Sequence, residues 1–290
     1  NLSDWKEEGI VYQGRSSTSW ATDCFWAPEV YERDGKYYLW YSANWKYNPT
    51  GEKENFRIGV AVSDNPLGPF KEMNDGPLFD PGYPVIDANV LFDDESGKVY
   101  LYYSRCCYKH PVESEIADYA KKNGWFDEIE ESEPVLLLQP PFSMDDLQAE
   151  WESRSVLNKE VNRRWTEGSF IFKEGETYYM MYSANYFVGN DYAVGYATAT
   201  HPLGPFRKSA DNPVLQKNVE NGGEVTGTGH NMVLSLPDGQ KLCVYHGRTR
   251  KTGRKRVVFI DRMEIKADET LVVYGPTIGT QAIEVVKTLF

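Results

Sequence analysis

The chain has 290 residues, 14% of them aromatic, with a formal net charge of -12 and a pI near 4.9. An acidic surface argues against nucleic acid or anionic membrane as a partner, since both attract a basic face, and no run of 18 apolar residues is present to cross a bilayer as a helix. The sequence holds no GxGxxG, GxxxxGKS/T, GxSxG or HExxH motif, which removes the common nucleotide, hydrolase-elbow and zincin readings. Cys24, Cys106, Cys107 and Cys243 lack metal-site spacing and are read as structural thiols.

The opening NLSDWKEEGIVYQ aligns with LGPFKEMNDGPLFD and LGPFRKSADNPVLQ further along the chain. It is therefore expected to be the last strand of a blade whose earlier strands are not in these residues. APEVYER, DGKYYLWYS and RIGVAVSDNPLGPF follow as three strands, with a fourth starting at FKEMNDGPLF. ANVLFDD and SGKVYLYYS start the pattern again. Residues 105–164 interrupt it with polar and Pro-rich text, read as an insertion at the rim of one blade and not as a second domain. GSFIFKE, EGETYYMMYS, YAVGYATATHPLGPF and FRKSADNPVL repeat all four strands, and NMVLSLP with DGQKLCVYH starts a last set. Alternating aromatic residues bounded by Gly-bearing turns specify strands. Anchored on Tyr41, Tyr103, Tyr182 and Tyr245, the steps are 62, 79 and 63 residues. Four antiparallel strands per unit, repeated at such a period, predict an all-β propeller as one domain over 1–290. Four blades are expected complete, with the first of five represented only by its last strand. The tail TQAIEVVKTLF resembles no first strand.

The first strand of each blade lines the central channel, so equivalent positions converge. Counting back 15 or 16 residues from each anchor gives Trp26, Asp87, Glu167 and His230. Two carboxylic acids, a histidine and an aromatic facing one axis suggest a site beyond structural need. Each residue also has a plainer reading. Glu167 could be a surface turn acid, Asp87 a turn cap, Trp26 a hub-packing side chain, and His230 a hydrogen-bonded core histidine.

WAPEV, the isolated Asp in IDANVLFDD, EGSFIFKEGETYYMMYS, the two LGPF turns, and GTGHN followed by YHGR together resemble glycoside hydrolase family 43. The resemblance implies a five-bladed propeller that inverts anomeric configuration on arabinose- or xylose-containing plant polysaccharides, in an extracellular or periplasmic setting. It matches Glu167 to the general acid and Asp87 to the residue that modulates the acid's pKa. The general base, an Asp, is expected upstream of Ser3 and not in this chain, so these residues alone are expected to hydrolyse nothing at a useful rate. Phe25, Trp26, Arg254 and Arg256 are expected to bind substrate, the two arginines from the third strand of the last blade. A solvated basic strand end explains the arginines equally well. No cofactor is required for the chemistry; a structural calcium near His230 is implied by the family. The rival from another class is a non-catalytic carbohydrate-binding propeller, which needs Trp26 but not the full acid set.

Overall fold

A computed structural model of the chain describes residues 5–14, 19–48, 55–78, 80, 82, 84–105, 135–136, 166–185, 187–204 and 206–279. The described residues form fifteen strands, one 3-10 turn at Val219–Asn221 and no α-helix. The first sheet contains β1 (Trp26–Arg33), β2 (Lys36–Asn44), β3 (Phe56–Ser63) and β4 (Lys71–Glu72), in that order. The second contains β5 (Val85–Asp93), β6 (Lys98–Arg105) and β7 (Val135–Leu136). The third is β8 (Thr166–Glu174), β9 (Thr177–Ala184), β10 (Ala193–Ala199) and β11 (Arg207–Lys208). The fourth is β12 (Thr226–Ser235), β13 (Lys241–Arg248), β14 (Val257–Ile265) and β15 (Leu271–Val273). All neighbours within a sheet are antiparallel, and each sheet packs on the next in chain order through its first strand. Antiparallel sheets in succession are the propeller architecture the repeat predicts, with three strands described in the second sheet where four are expected.

The near-identical octapeptides YYLWYSAN and YYMMYSAN lie on β2 and β9, whose sheets are each apolar on both sides. Alternation sends Tyr178, Met180 and Tyr182 into the core shared with the second sheet, and Tyr179 and Met181 into the core shared with the fourth. Both faces of a blade are covered, so both sets of alternating positions are apolar. Tyr41 and Tyr182 pair across the sheet with Gly59 and Gly195. A Cβ on Gly59 would come within 2.5 Å of the Tyr41 ring, and one on Gly195 within 3.0 Å of the Tyr182 hydroxyl. The phenols lie over the space the glycines leave. Each LGPF segment closes the third strand with a left-handed Gly, at Gly68 and Gly204, and buries its Phe70 or Phe206.

Two expectations are refined. Described residues 5–14 form no strand; the Val11 carbonyl accepts from Phe70 N–H, and the Tyr12 hydroxyl donates to Glu72. A strand needs a neighbouring edge, and this segment instead packs on the outer core of the first sheet. Of 105–164, only Arg105 and Val135–Leu136 are described, and β7 pairs antiparallel with β6. The remainder of the insertion and the tail from 280 lie outside the described residues.

The first strands share one irregularity. The ladder slips between Trp26 and Glu29, Ile86 and Asn89, Glu167 and Phe170, and Gly229 and Met232. At each slip one residue has positive φ: Ala27 (46°), Asp87 (59°), Gly168 (59°) and His230 (51°). Left-handed conformations cost a non-glycine residue stability, so three of them with Gly168 at one level mark a bulge repeated on each of the four described sheets. The serine that closes the Tyr-Ser motif supports it. Asp87 N–H donates to Ser42 Oγ at 3.0 Å, and His230 N–H to Ser183 Oγ at 2.6 Å. On the intervening blade Gly168 N–H donates to Asp87 Oδ2 instead, and the buried Ser104 Oγ has no partner among the described residues. Ser183→Ala should therefore strand a buried N–H and lower stability by about 1–3 kcal/mol. Ser104→Ala, at the equivalent place, should leave the midpoint unchanged or raise it. Urea unfolding of the two variants measures the contrast, and equal losses would refute it.

Candidate active site

The bulges bring three of the four register residues into one electrostatic cluster. Asp87 is buried, and its carboxylate accepts the N–H of Gly168, the residue that follows Glu167. A Cβ on Gly168 would lie 3.1 Å from the His230 ring, so the imidazole stands directly over that glycine. Glu167 is itself nearly buried, and its Oε1 accepts from the Tyr192 hydroxyl at 2.6 Å. Burial pushes the Asp87 carboxyl up to about 7, opposed by the Gly168 N–H, which favours the anion. Tyr192 is driven well above its usual value by burial and then by the charge of Glu167.

Trp26 stands nearer solvent, 45% exposed, with its ring 5.8 Å from Phe56 and 6.1 Å from Phe187. The Arg256 guanidinium lies over Phe187 at 5.6 Å. Arg254 and Arg256 are exposed and precede β14, so they belong to the loop between β13 and β14 and not to the third strand. A strand begins only where backbone pairing does, and this loop's own turn bonds end at Lys255. Phe25 turns away from this group: its ring packs at 5.6 Å from Tyr41 and 6.1 Å from Tyr12, in the outer core of the first sheet. Phe187 and Arg248 had no repeat to reveal them. The Arg248 guanidinium donates to the carbonyls of Phe187 and Gly189 and so ties down the loop that carries Phe187.

A further carboxyl lies along the channel. Glu29, on β1, accepts from the Tyr31 hydroxyl and from Asn89 Nδ2 at 3.1 Å, and Asn89 Oδ1 accepts from Ile171 N–H at 2.9 Å. Three first strands are thereby joined by one polar chain. Burial raises Glu29 above the usual carboxylate range despite those donors, with Asp87 adding repulsion and His230 relieving it. The signal was present in WAPEV, since Glu29 sits where alternation returns to the channel after the bulge.

The register itself needs a correction of one residue. Asp87 and His230 occupy the left-handed position, whereas Trp26 and Glu167 precede it and align with Ile86 and Gly229. Differences in turn length hid the offset. Among the described residues no three His, Cys, Asp or Glu side chains gather to hold a metal ion.

The sequence profile described as Glycosyl hydrolases family 43 matches residues 1–271. The chain is 29% identical over 260 residues to a beta-D-galactofuranosidase of Aspergillus niger, covering 84% of this chain and 63% of that protein. It is 30% identical over 212 residues to a xylosidase/arabinosidase of Bacteroides ovatus, covering 69% and 60% respectively. The chain thus spans about three fifths of the length of these relatives. Among solved structures, a thermostable family-43 glycoside hydrolase superposes with a TM-score of 0.73 at 34% identity, covering 97% of this chain and 85% of that one.

The raised Asp87 carboxyl sets a stability test. The folded state retains a proton that the unfolded chain releases near pH 4, so stability should fall as pH rises from about 4 to about 7, by at most about 1.4 kcal/mol per pH unit. Asp87→Asn removes the titration, and Asn tolerates the left-handed backbone at this position. Urea midpoints at pH 4.5 and 7.5 should show the parent losing stability relative to the variant; parallel behaviour would mean Asp87 ionises normally.

Proposed function

The chain belongs to glycosyl hydrolases family 43, and on that premise we propose that it is an inverting glycosidase of arabinose- or xylose-containing plant polysaccharides or oligosaccharides. One observation carries the reading: a buried carboxyl, Asp87, is hydrogen-bonded to the backbone of the residue next to a second carboxyl, Glu167. In the proposed reaction Glu167 protonates the departing glycosidic oxygen. Asp87 resists the simultaneous ionisation of both acids and so helps Glu167 keep its proton until transfer. Trp26 and Phe187 offer apolar faces to the sugar ring, and Arg256 brings a positive charge to the same rim.

An inverting reaction also requires an ionised carboxylate on the opposite face of the sugar, roughly 6.5–9.5 Å from the acid. We assign it, as the resemblance does, to a third carboxyl, an Asp distinct from Asp87. Glu29 is a poor substitute, because burial favours its neutral form and two donors already hold it. A non-catalytic sugar-binding propeller would need the aromatic rim but not the cost of burying paired acids. The relatives' names support furanosides and xylosides as the substrates to try first, and an extracellular or periplasmic setting would suit polymeric substrates.

The test is a screen of the full-length protein on aryl α-L-arabinofuranoside, β-D-xyloside and β-D-galactofuranoside, with the product anomer followed by NMR. Glu167→Gln should lower kcat by roughly 10²–10⁴-fold on poor leaving groups and less on activated ones, as loss of a general acid does. Retained configuration, or unimpaired turnover by Glu167→Gln, would refute the assignment.

A further inference from the structure

A general acid has two carboxyl oxygens, and the reaction can use the proton on only one of them. Tyr192 bears on that choice. Its side chain is completely buried, and its hydroxyl donates to Glu167 Oε1 at 2.6 Å. The ring cannot shift easily. His246 stacks on it with centroids 5.5 Å apart and planes 12° from parallel. The backbone of β12 also passes so close that a Cβ on Gly229 would lie 2.1 Å from a ring carbon. The main chain of Tyr192 is held as well, its carbonyl accepting from the Thr228 hydroxyl at 3.3 Å. Burial and the adjacent Glu167 keep the phenol protonated far beyond neutral pH, so it remains a donor throughout the working range.

We propose that Tyr192 is a positioning residue that assigns the proton of Glu167 to Oε2, by donating a hydrogen bond to Oε1. The proposal rests on the reading of Glu167 as general acid. In a neutral carboxyl the carbonyl-type oxygen is the better acceptor; the oxygen that Tyr192 engages therefore becomes that one, and the acidic hydrogen resides on the other. When the proton moves from Oε2 to the leaving oxygen and the glycosidic bond breaks, the new negative charge on the carboxylate is shared with Oε1. The phenol's hydrogen bond strengthens as that charge appears. Tyr192 thus orients the acid in the ground state and stabilises its conjugate base after transfer.

The experiment compares Tyr192→Phe, Glu167→Gln and the double variant of the full-length protein on aryl glycosides of graded leaving-group basicity, with pH profiles of kcat/KM. Phe keeps the ring and its stacking and removes only the hydroxyl. Tyr192→Phe should lower kcat on the poorest leaving groups by about 10–100-fold, in the range expected for a misplaced catalytic group, with KM little changed. The basic limb of its profile should move to higher pH, because the Glu167 anion loses a donor. In the Glu167→Gln background the same change should add nothing. A loss equal for all leaving groups, an unmoved basic limb, or additive losses in the double variant would each overturn the proposal. Full activity in Glu167→Gln alone would instead overturn the reading on which the proposal rests, and the proposal with it.

Discussion

The structure depends on a repeated break in hydrogen bonding. Four first strands run beside one another towards a common axis, and each slips its ladder where its side chains enter the site. A bulge leaves a backbone N–H without a strand partner, and a buried N–H must be satisfied. The preceding blade supplies the acceptor, through Ser42 for Asp87 and Ser183 for His230. Blade spacing, bulge geometry and site geometry are therefore one constraint. On the blade that carries Glu167 the acceptor is Asp87 itself, so at this one place the structural hydrogen bond is made by a residue of the site.

This substitution has electrostatic consequences. A serine acceptor is neutral and indifferent to pH, whereas Asp87 in the same role is buried and drawn up towards neutrality. Its carboxyl is anchored to the backbone next to Glu167, so the two acids cannot move apart to relieve repulsion. Glu29 experiences the same field from further along the channel, and the nearby positive groups lie chiefly on the fourth sheet. There His246 is pushed down to about 3 by burial and then by the charges of Arg256, His230 and Arg248. The axis thus separates a side where carboxyls tend to keep a proton from a side where an imidazole stays neutral.

The buried acids and the aromatic rim are held by different parts of the fold. Asp87 and Glu167 are placed by strands and bulges, as stiff as the sheets themselves. Trp26, Phe187 and Arg256 meet at the rim, two of them from loops. Arg248 links the layers, reaching from β13 to fix the Phe187 loop through two carbonyls. Changes in the rim loops can therefore alter that surface without altering the strands that carry the acids.

Much of this was legible in the sequence because it is periodic. Alternation of two residues per repeat identifies strands, the recurrence of Tyr41, Tyr103, Tyr182 and Tyr245 identifies blades, and the text preceding each one marks the bulge of the first strand to within a residue. That last residue was not legible. The turn between first and second strands varies in length, and only backbone pairing shows that Asp87 aligns with His230 while Glu167 aligns with Trp26. Phe25 reads like its neighbour Trp26 in sequence, but consecutive residues of an extended chain face opposite ways, and it packs against Tyr41. Tyr192 and Arg248 belong to contacts between elements far apart in the chain. By itself the sequence determined the strands, their grouping into blades and the acids brought to the axis, all consequences of local periodicity. The tertiary structure alone decided which hydrogen bond each acid makes, because those partners come from neighbouring blades whose register no local pattern encodes.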